Sequence, residues 1–166
     1  MPYRFPLAAL GLALLLGCAP GLPVQPDEPA DLPLQPGQVR AYFTDLPSTL
    51  LDAVRAGCTG PQAQVTRPGA LGAGCESLPP PELAAALILD LGGTVEDLPR
   101  LVTNLRAVEA SGRGGYVVTA ENLIRVPQRD GGPAQLVRPD SPQLKGSMRA
   151  LLEAAGGEVM ENTEKG

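Results

Sequence analysis

Apolar and polar positions divide the chain into three stretches of different texture. Phe5 to Leu16 is an unbroken apolar run of twelve residues. Prolines then recur at positions 20, 23, 26, 29, 33 and 36. From Val39 onward, apolar residues return at the spacings of helices and strands. Val39-Arg40-Ala41-Tyr42-Phe43 reads as a first strand. Asp45 is placed to cap a helix that holds Pro47 in its first turn, turns Leu50, Leu51 and Val54 to one side and ends at Gly57. Pro79-Pro80-Pro81 leads into a second helix, Glu82 to Leu91, closed by Gly92-Gly93. This stretch is apolar on several sides, which predicts a central position; a buried strand over Ala86–Leu91 is the competing reading.

Leu98, Leu101, Val102, Leu105 and Val108 form a helical stripe that Asp97 would cap and Ser111-Gly112 would end. The period then changes. Tyr116–Thr119 and Leu123–Val126 read as the strands of a hairpin with Ala120-Glu121-Asn122 between them. Asp130-Gly131-Gly132 is a turn, and Ala134–Arg138 could supply a third strand. Ser141-Pro142 starts a last helix, with Leu144, Met148, Leu151, Leu152 and Ala155 on its apolar face and Gly156-Gly157 at its end. The expected fold is α+β: about four helices packed on a small antiparallel sheet, a β-hairpin plus a possible third strand. Residues 39–157 form one domain, and 158–166 read as a polar, frayed tail.

Composition narrows the chemistry. The chain has 166 residues, two Phe, three Tyr and no Trp, so Leu, Val, Ile and Ala must build the core. A net charge of −5 with scattered basic residues gives no reason to expect nucleic acid as a partner. There is no histidine, which removes Ser-His-Asp and Cys-His catalysis and His-ligated metals together. No cofactor is expected.

The N-terminal run is too short for a spanning helix, which needs about twenty residues, and fits the apolar part of a signal peptide preceded by Arg4. It ends Leu15-Leu16-Gly17-Cys18. Here the segment resembles the lipobox of bacterial lipoproteins: aliphatic, small or aliphatic, Gly or Ala, then Cys. The resemblance implies that residues 1–17 are the signal peptide, cut between Gly17 and Cys18. It also implies diacylglycerol on the Cys18 sulfur and often a further acyl chain, such as palmitate, on the new amine. It further implies export and a membrane anchor in the cell envelope. Ala19 after the cysteine leans toward the outer membrane, facing the periplasm. Residues 18–38 are then the lipidated cysteine and a proline-rich spacer, whose stretch 19–37 is able to reach roughly 60 Å at about 3.1 Å per residue.

With Cys18 assigned to lipid, Cys58 and Cys75 most simply pair in an oxidising space. A redox-active or metal-binding pair is the alternative, though the spacing is not C-x-x-C and no histidine can serve as co-ligand.

The other candidates are weaker. Gly69 to Gly74 lacks a P-loop lysine and reads as a flexible loop. Asp90, Glu96 and Asp97 could do acid–base work or hold calcium, but no run of oxygen ligands accompanies them. Ser141 or Ser147 with Lys145 would need a desolvated lysine to act as nucleophile and base. Arg113-Gly114-Gly115 is a loop that turns the chain into a strand. Tyr42 and Phe43 are either core anchors or a contact patch for a partner. No catalytic residue is assigned. The expectation is a lipid-anchored, non-enzymatic binding or assembly module whose partner is another envelope protein. The alternatives are a carboxylate-based enzyme or small-molecule binder, and an accessory subunit folded on a partner.

Overall fold

The computed structural model describes residues 33–60 and 62–160. Its elements are β1 (Gln38–Phe43), α1 (Ser48–Gly57), β2 (Gln64–Thr66), β3 (Ala73–Ser77), α2 (Pro81–Leu91), β4 (Arg100–Glu109), β5 (Tyr116–Val126), β6 (Gln135–Val137), α3 (Pro142–Ala154) and β7 (Glu158–Met160). The seven strands form one antiparallel sheet in the order β2-β3-β4-β5-β1-β7, with β6 beside the far end of β5. Among the described residues, three helices and a seven-stranded sheet replace the expected four helices on a small sheet.

The largest correction concerns residues 100–109, read as a helix and folded as β4. The stripe Leu101, Val102, Leu105, Val108 satisfies a helical period only because both faces of the strand carry apolar residues. Leu105 and Ala107 face the helices, while Val102 and Asn104 lie buried on the opposite face. Ten consecutive partners on β5 decide for the strand, as tertiary pairing overrides local propensity. Pro99 is buried immediately before the strand, where its missing donor costs no ladder bond.

The second correction follows from the first. Tyr116–Val126 is one strand and not a hairpin: Ala120, Glu121 and Asn122 pair with Leu105, Asn104 and Thr103. The true hairpin joins β4 to β5. Its turn is closed by Ala110 N–H to Gly115 carbonyl at 2.9 Å, with Gly112, Gly114 and Gly115 at positive φ. The third strand is present as β6, paired with Ile124–Val126. Glu158–Met160, read as part of the polar tail, add β7 to the outside of β1, and Val159 packs against the core.

The helices keep their expected places with changes at their ends. Pro47, not Asp45, is the N-cap residue of α1. Ser141 Oγ accepts from Leu144 N–H at 3.4 Å and caps α3. Of the apolar face expected for α3, Met148 and Leu152 are buried, whereas Leu144, Leu151 and Ala155 are exposed. The α2 helix is peripheral and not central. Only Ala84 and Ile88 are buried, and Leu89 is 78% exposed. It stops where Gly92 turns left-handed (φ +68) and Gly93 slots between Ile88 and Val126.

The core lies on one face of the sheet. Leu50 and Leu51 of α1 and Met148 and Leu152 of α3 cover Val39, Ala41 and Phe43 of β1 and Ala73, Leu105, Ala107, Val118 and Ala120. Each fully buried leucine contributes about 1.5–3 kcal/mol. Small alanines on the central strands let the helices sit close without large aromatics. Cys58, just after α1, is bonded to Cys75 of β3 with Cα atoms 5.4 Å apart, tying the helix layer to the sheet. The stretch Gly69–Gly74, read as flexible, is tightly packed at its end. A Cβ on Gly72 would lie 1.9 Å from the Pro68 carbonyl oxygen.

Candidate functional site

Because side chains alternate along a strand, burying Val39, Ala41 and Phe43 under the helices sends Gln38, Arg40 and Tyr42 to the other face. The antiparallel register then arranges that open face in rows, each about 6.7 Å from the next along the strands. Val108, Val117 and Tyr42 form an apolar row. Arg106, Thr119 and Arg40 form the next. Thr66, Gly74, Asn104, Glu121 and Gln38 then cross five strands. Val102 with Leu123 and Arg100 with Arg125 complete the pattern.

Glu121 is the centre of the polar rows. Its Oε2 accepts from Gln38 Nε2 at 3.0 Å and its Oε1 from Asn104 Nδ2 at 3.2 Å. Arg138 Nε stands 3.8 Å from Oε2. Arg40 Nε donates to Thr119 Oγ1 at 3.2 Å. Gln38, Arg40 and Asn104 are buried although they lie on the face away from the helices. Gly74 makes the arrangement possible: a Cβ there would sit 2.4 Å from Thr66 Oγ1 and 2.6 Å from Asn104 Oδ1.

The rim is also charged. Arg125 reaches Glu76 at 3.7 Å and Asp97 at 3.6 Å. The Arg113 guanidinium lies 3.6 Å from the centre of the Tyr42 ring, and Tyr42 Oη donates to the Gly114 carbonyl at 3.3 Å. A shallow hollow on this face is lined by Gln38, Arg40, Asn104, Arg106, Thr119 and Glu121. The face carries an ordered array of guanidinium, amide and carboxylate groups, with Gln38, Arg40 and Asn104 buried and Arg106, Thr119 and Glu121 half-buried.

The residues singled out in the sequence fall elsewhere for the most part. Phe43 is a core residue, 4% exposed; Tyr42 belongs to the open face. Asp90 is exposed at the end of α2, Glu96 is hydrogen-bonded to the Thr94 hydroxyl, and Asp97 pairs with Arg125. The Thr94 hydrogen bond holds the Glu96 carboxyl below its usual range. No group of three or more such side chains able to hold a metal occurs among the described residues. Lys145 pairs with Asp140, while Ser147 Oγ donates to the Gln143 carbonyl, so no nucleophile–base pair forms there. Leu15, Leu16, Gly17 and Cys18 lie outside the described residues.

Sequence reasoning missed Gln38, Arg40, Asn104, Arg106, Thr119 and Glu121 as a group. The available signal was the period-two alternation Val102, Asn104, Arg106, Val108, hidden beneath the helical stripe. Among the described residues, no helix is long and apolar enough to cross a membrane. Compared with models of protein families, with curated proteins and with solved structures, the chain matches none.

Proposed function

We propose that the protein is a lipid-anchored bacterial envelope lipoprotein and a non-enzymatic binding or assembly module. The open face of its sheet is the surface that meets another envelope protein. The observation that carries the anchor is the twelve-residue apolar run Phe5–Leu16 followed directly by Gly17-Cys18. Two acyl chains hold a protein on a bilayer far more firmly than one, so no spanning helix is required. The Cys58–Cys75 disulfide supports the reading, since such bonds persist in oxidising compartments. Ala19 directs the protein to the outer membrane, facing the periplasm. The binding role rests on the open face. Glu121, Gln38 and Asn104 are hydrogen-bonded to one another across its strands.

The anchor is tested with Cys18→Ala in cells fed a labelled fatty acid. The variant is expected to lose the label and accumulate as uncleaved precursor. Unchanged maturation and membrane attachment refute the anchor. The binding surface is tested with a photo-cross-linking amino acid at Arg106, compared with one at Glu153 on α3. Adducts with one envelope protein from position 106 only are expected, and equal capture from both positions refutes the assignment.

A further inference from the structure

We propose that Asp130 is a modification site, where the chain converts itself to isoaspartate through a cyclic imide with Gly131. The Gly131 nitrogen attacks the side-chain carboxyl carbon of Asp130. A C–N bond forms, and the hydroxyl of the protonated carboxyl leaves with the amide proton as water. Water then reopens the imide. Attack at the side-chain carbonyl restores aspartate. Attack at the main-chain carbonyl of Asp130 leaves the chain running through the side chain, one methylene longer. Nothing is oxidised or reduced, and water is the only co-reactant.

Sequence selects the residue. Glycine lacks the side chain that shields a backbone nitrogen from its neighbour's carboxyl. Asp130-Gly131 is the only Asp-Gly or Asn-Gly pair in the chain. The fold adds to this. Asp130, Gly131, Gly132 and Pro133 are all exposed. Asp130 Oδ1 accepts from Gly132 N–H at 2.9 Å, which folds the carboxyl back along the chain past Gly131 and draws charge from its carbon. The other described aspartates differ. Asp52 and Asp90 lie within α1 and α2, where the next N–H belongs to the helix ladder. Asp97 pairs with Arg125 and Asp140 with Lys145. Asp45 is followed by leucine.

One side of the turn is fixed and the other is free. Gln128 bridges to Gly93, and Arg129 N–H donates to the Gly92 carbonyl at 3.2 Å, so the entry is tied to the end of α2. Gly131 N–H donates to the Gln128 carbonyl at 3.2 Å. That bond must open before the ring closes, and exposed turns open at low free energy. The exit leads into β6, which pairs with β5 over three residues, and then to Arg138, 3.8 Å from Glu121. A methylene added to the main chain in this turn loosens β6 from β5 and draws Arg138 away from Glu121. Conversion at Asp130 therefore alters the open face, with no need of the anchor or of a partner.

Ageing the purified full-length protein in neutral buffer tests the proposal. An isoaspartyl methyltransferase with a labelled methyl donor reports the product. An endoprotease that cuts before aspartate but not before isoaspartate locates it. Label is expected to accumulate at position 130, with matching loss of cleavage between Arg129 and Asp130. Asp130→Glu is expected to stay unlabelled there, because glutamate would have to close a larger ring. No label at 130 in the wild type, or equal label in Asp130→Glu, overturns the site. Hydrogen exchange on the separated isoaspartate form reads the consequence: the amides of Gln135–Val137 are expected to lose protection. Unchanged protection there overturns the effect on the open face.

Discussion

Glu121 faces Asn104 across the β4–β5 ladder, and the Asn104 amide donates to its carboxylate at 3.2 Å. The same carboxylate accepts from Gln38 on β1, so it joins side chains from three strands. Replacing Glu121 by leucine strands the Gln38 and Asn104 donors in a buried setting. A loss of about 1–3 kcal/mol is expected from urea unfolding, with a smaller loss for Glu121→Gln, which keeps an acceptor. Equal stability of wild type and Glu121→Leu would mean that the row does not hold the sheet together.

Among the described residues, α1 and α3 pack on one face of the sheet, and core substitutions report which. Leu105→Ala should cost about 2–5 kcal/mol, because Leu105 is 1% exposed beneath the helices. Leu89→Ala, on the outer side of α2, should cost less than about 0.5 kcal/mol. Comparable losses at both positions would contradict the placement of β4 in the centre and α2 at the rim.

Two glycines separate packing from backbone entropy. At Gly72 a methyl group meets the Pro68 and Leu105 carbonyl oxygens, so Gly72→Ala is expected to destabilise by more than about 2 kcal/mol. At Gly146, inside α3, a Cβ meets nothing within 4 Å, and Gly146→Ala should stabilise by about 0.5–1 kcal/mol. Thermal melts of the two variants should shift in opposite directions.

The disulfide closes a separation of 17 residues. In the loop-entropy account its removal in the double variant Cys58→Ser, Cys75→Ser costs about 3 kcal/mol. An unchanged denaturation midpoint would show that β2 and β3 are held by the sheet alone.

Glu96 supplies the pH test. The Thr94 hydroxyl hydrogen bond lowers its pKa, so its contribution is present above the unfolded-state pKa and is lost as pH falls through the folded value. Thr94→Val should move the Glu96 titration, followed by NMR, upward toward the ordinary carboxylate range. No movement would assign the shift to something other than that bond.

Local chemistry announced the elements whose signals are local. Ser141-Pro142 started α3, Gly92-Gly93 ended α2, and Val39–Phe43 was a strand before any partner was known. What failed was the centre of the sheet. Residues 100–109 carry apolar side chains on both faces, and that removes the period-two signature that marks a half-buried strand. Read as a helix, residues 100–109 leave β5 without a partner, and Glu121 at mid-strand reads as part of a turn. The open face was illegible for the same reason. Its rows are set by register between residues up to 83 positions apart, and no short motif records them.

The central claim is an exported domain held to the envelope through Cys18. Mass spectrometry of the protein extracted from cell membranes tests it most directly. The account predicts an amino-terminal peptide beginning at Cys18 and carrying diacylglycerol, with Cys58 and Cys75 resistant to alkylation until reduced. An unmodified chain beginning at Met1, recovered from the cytosol with both thiols free, would contradict it.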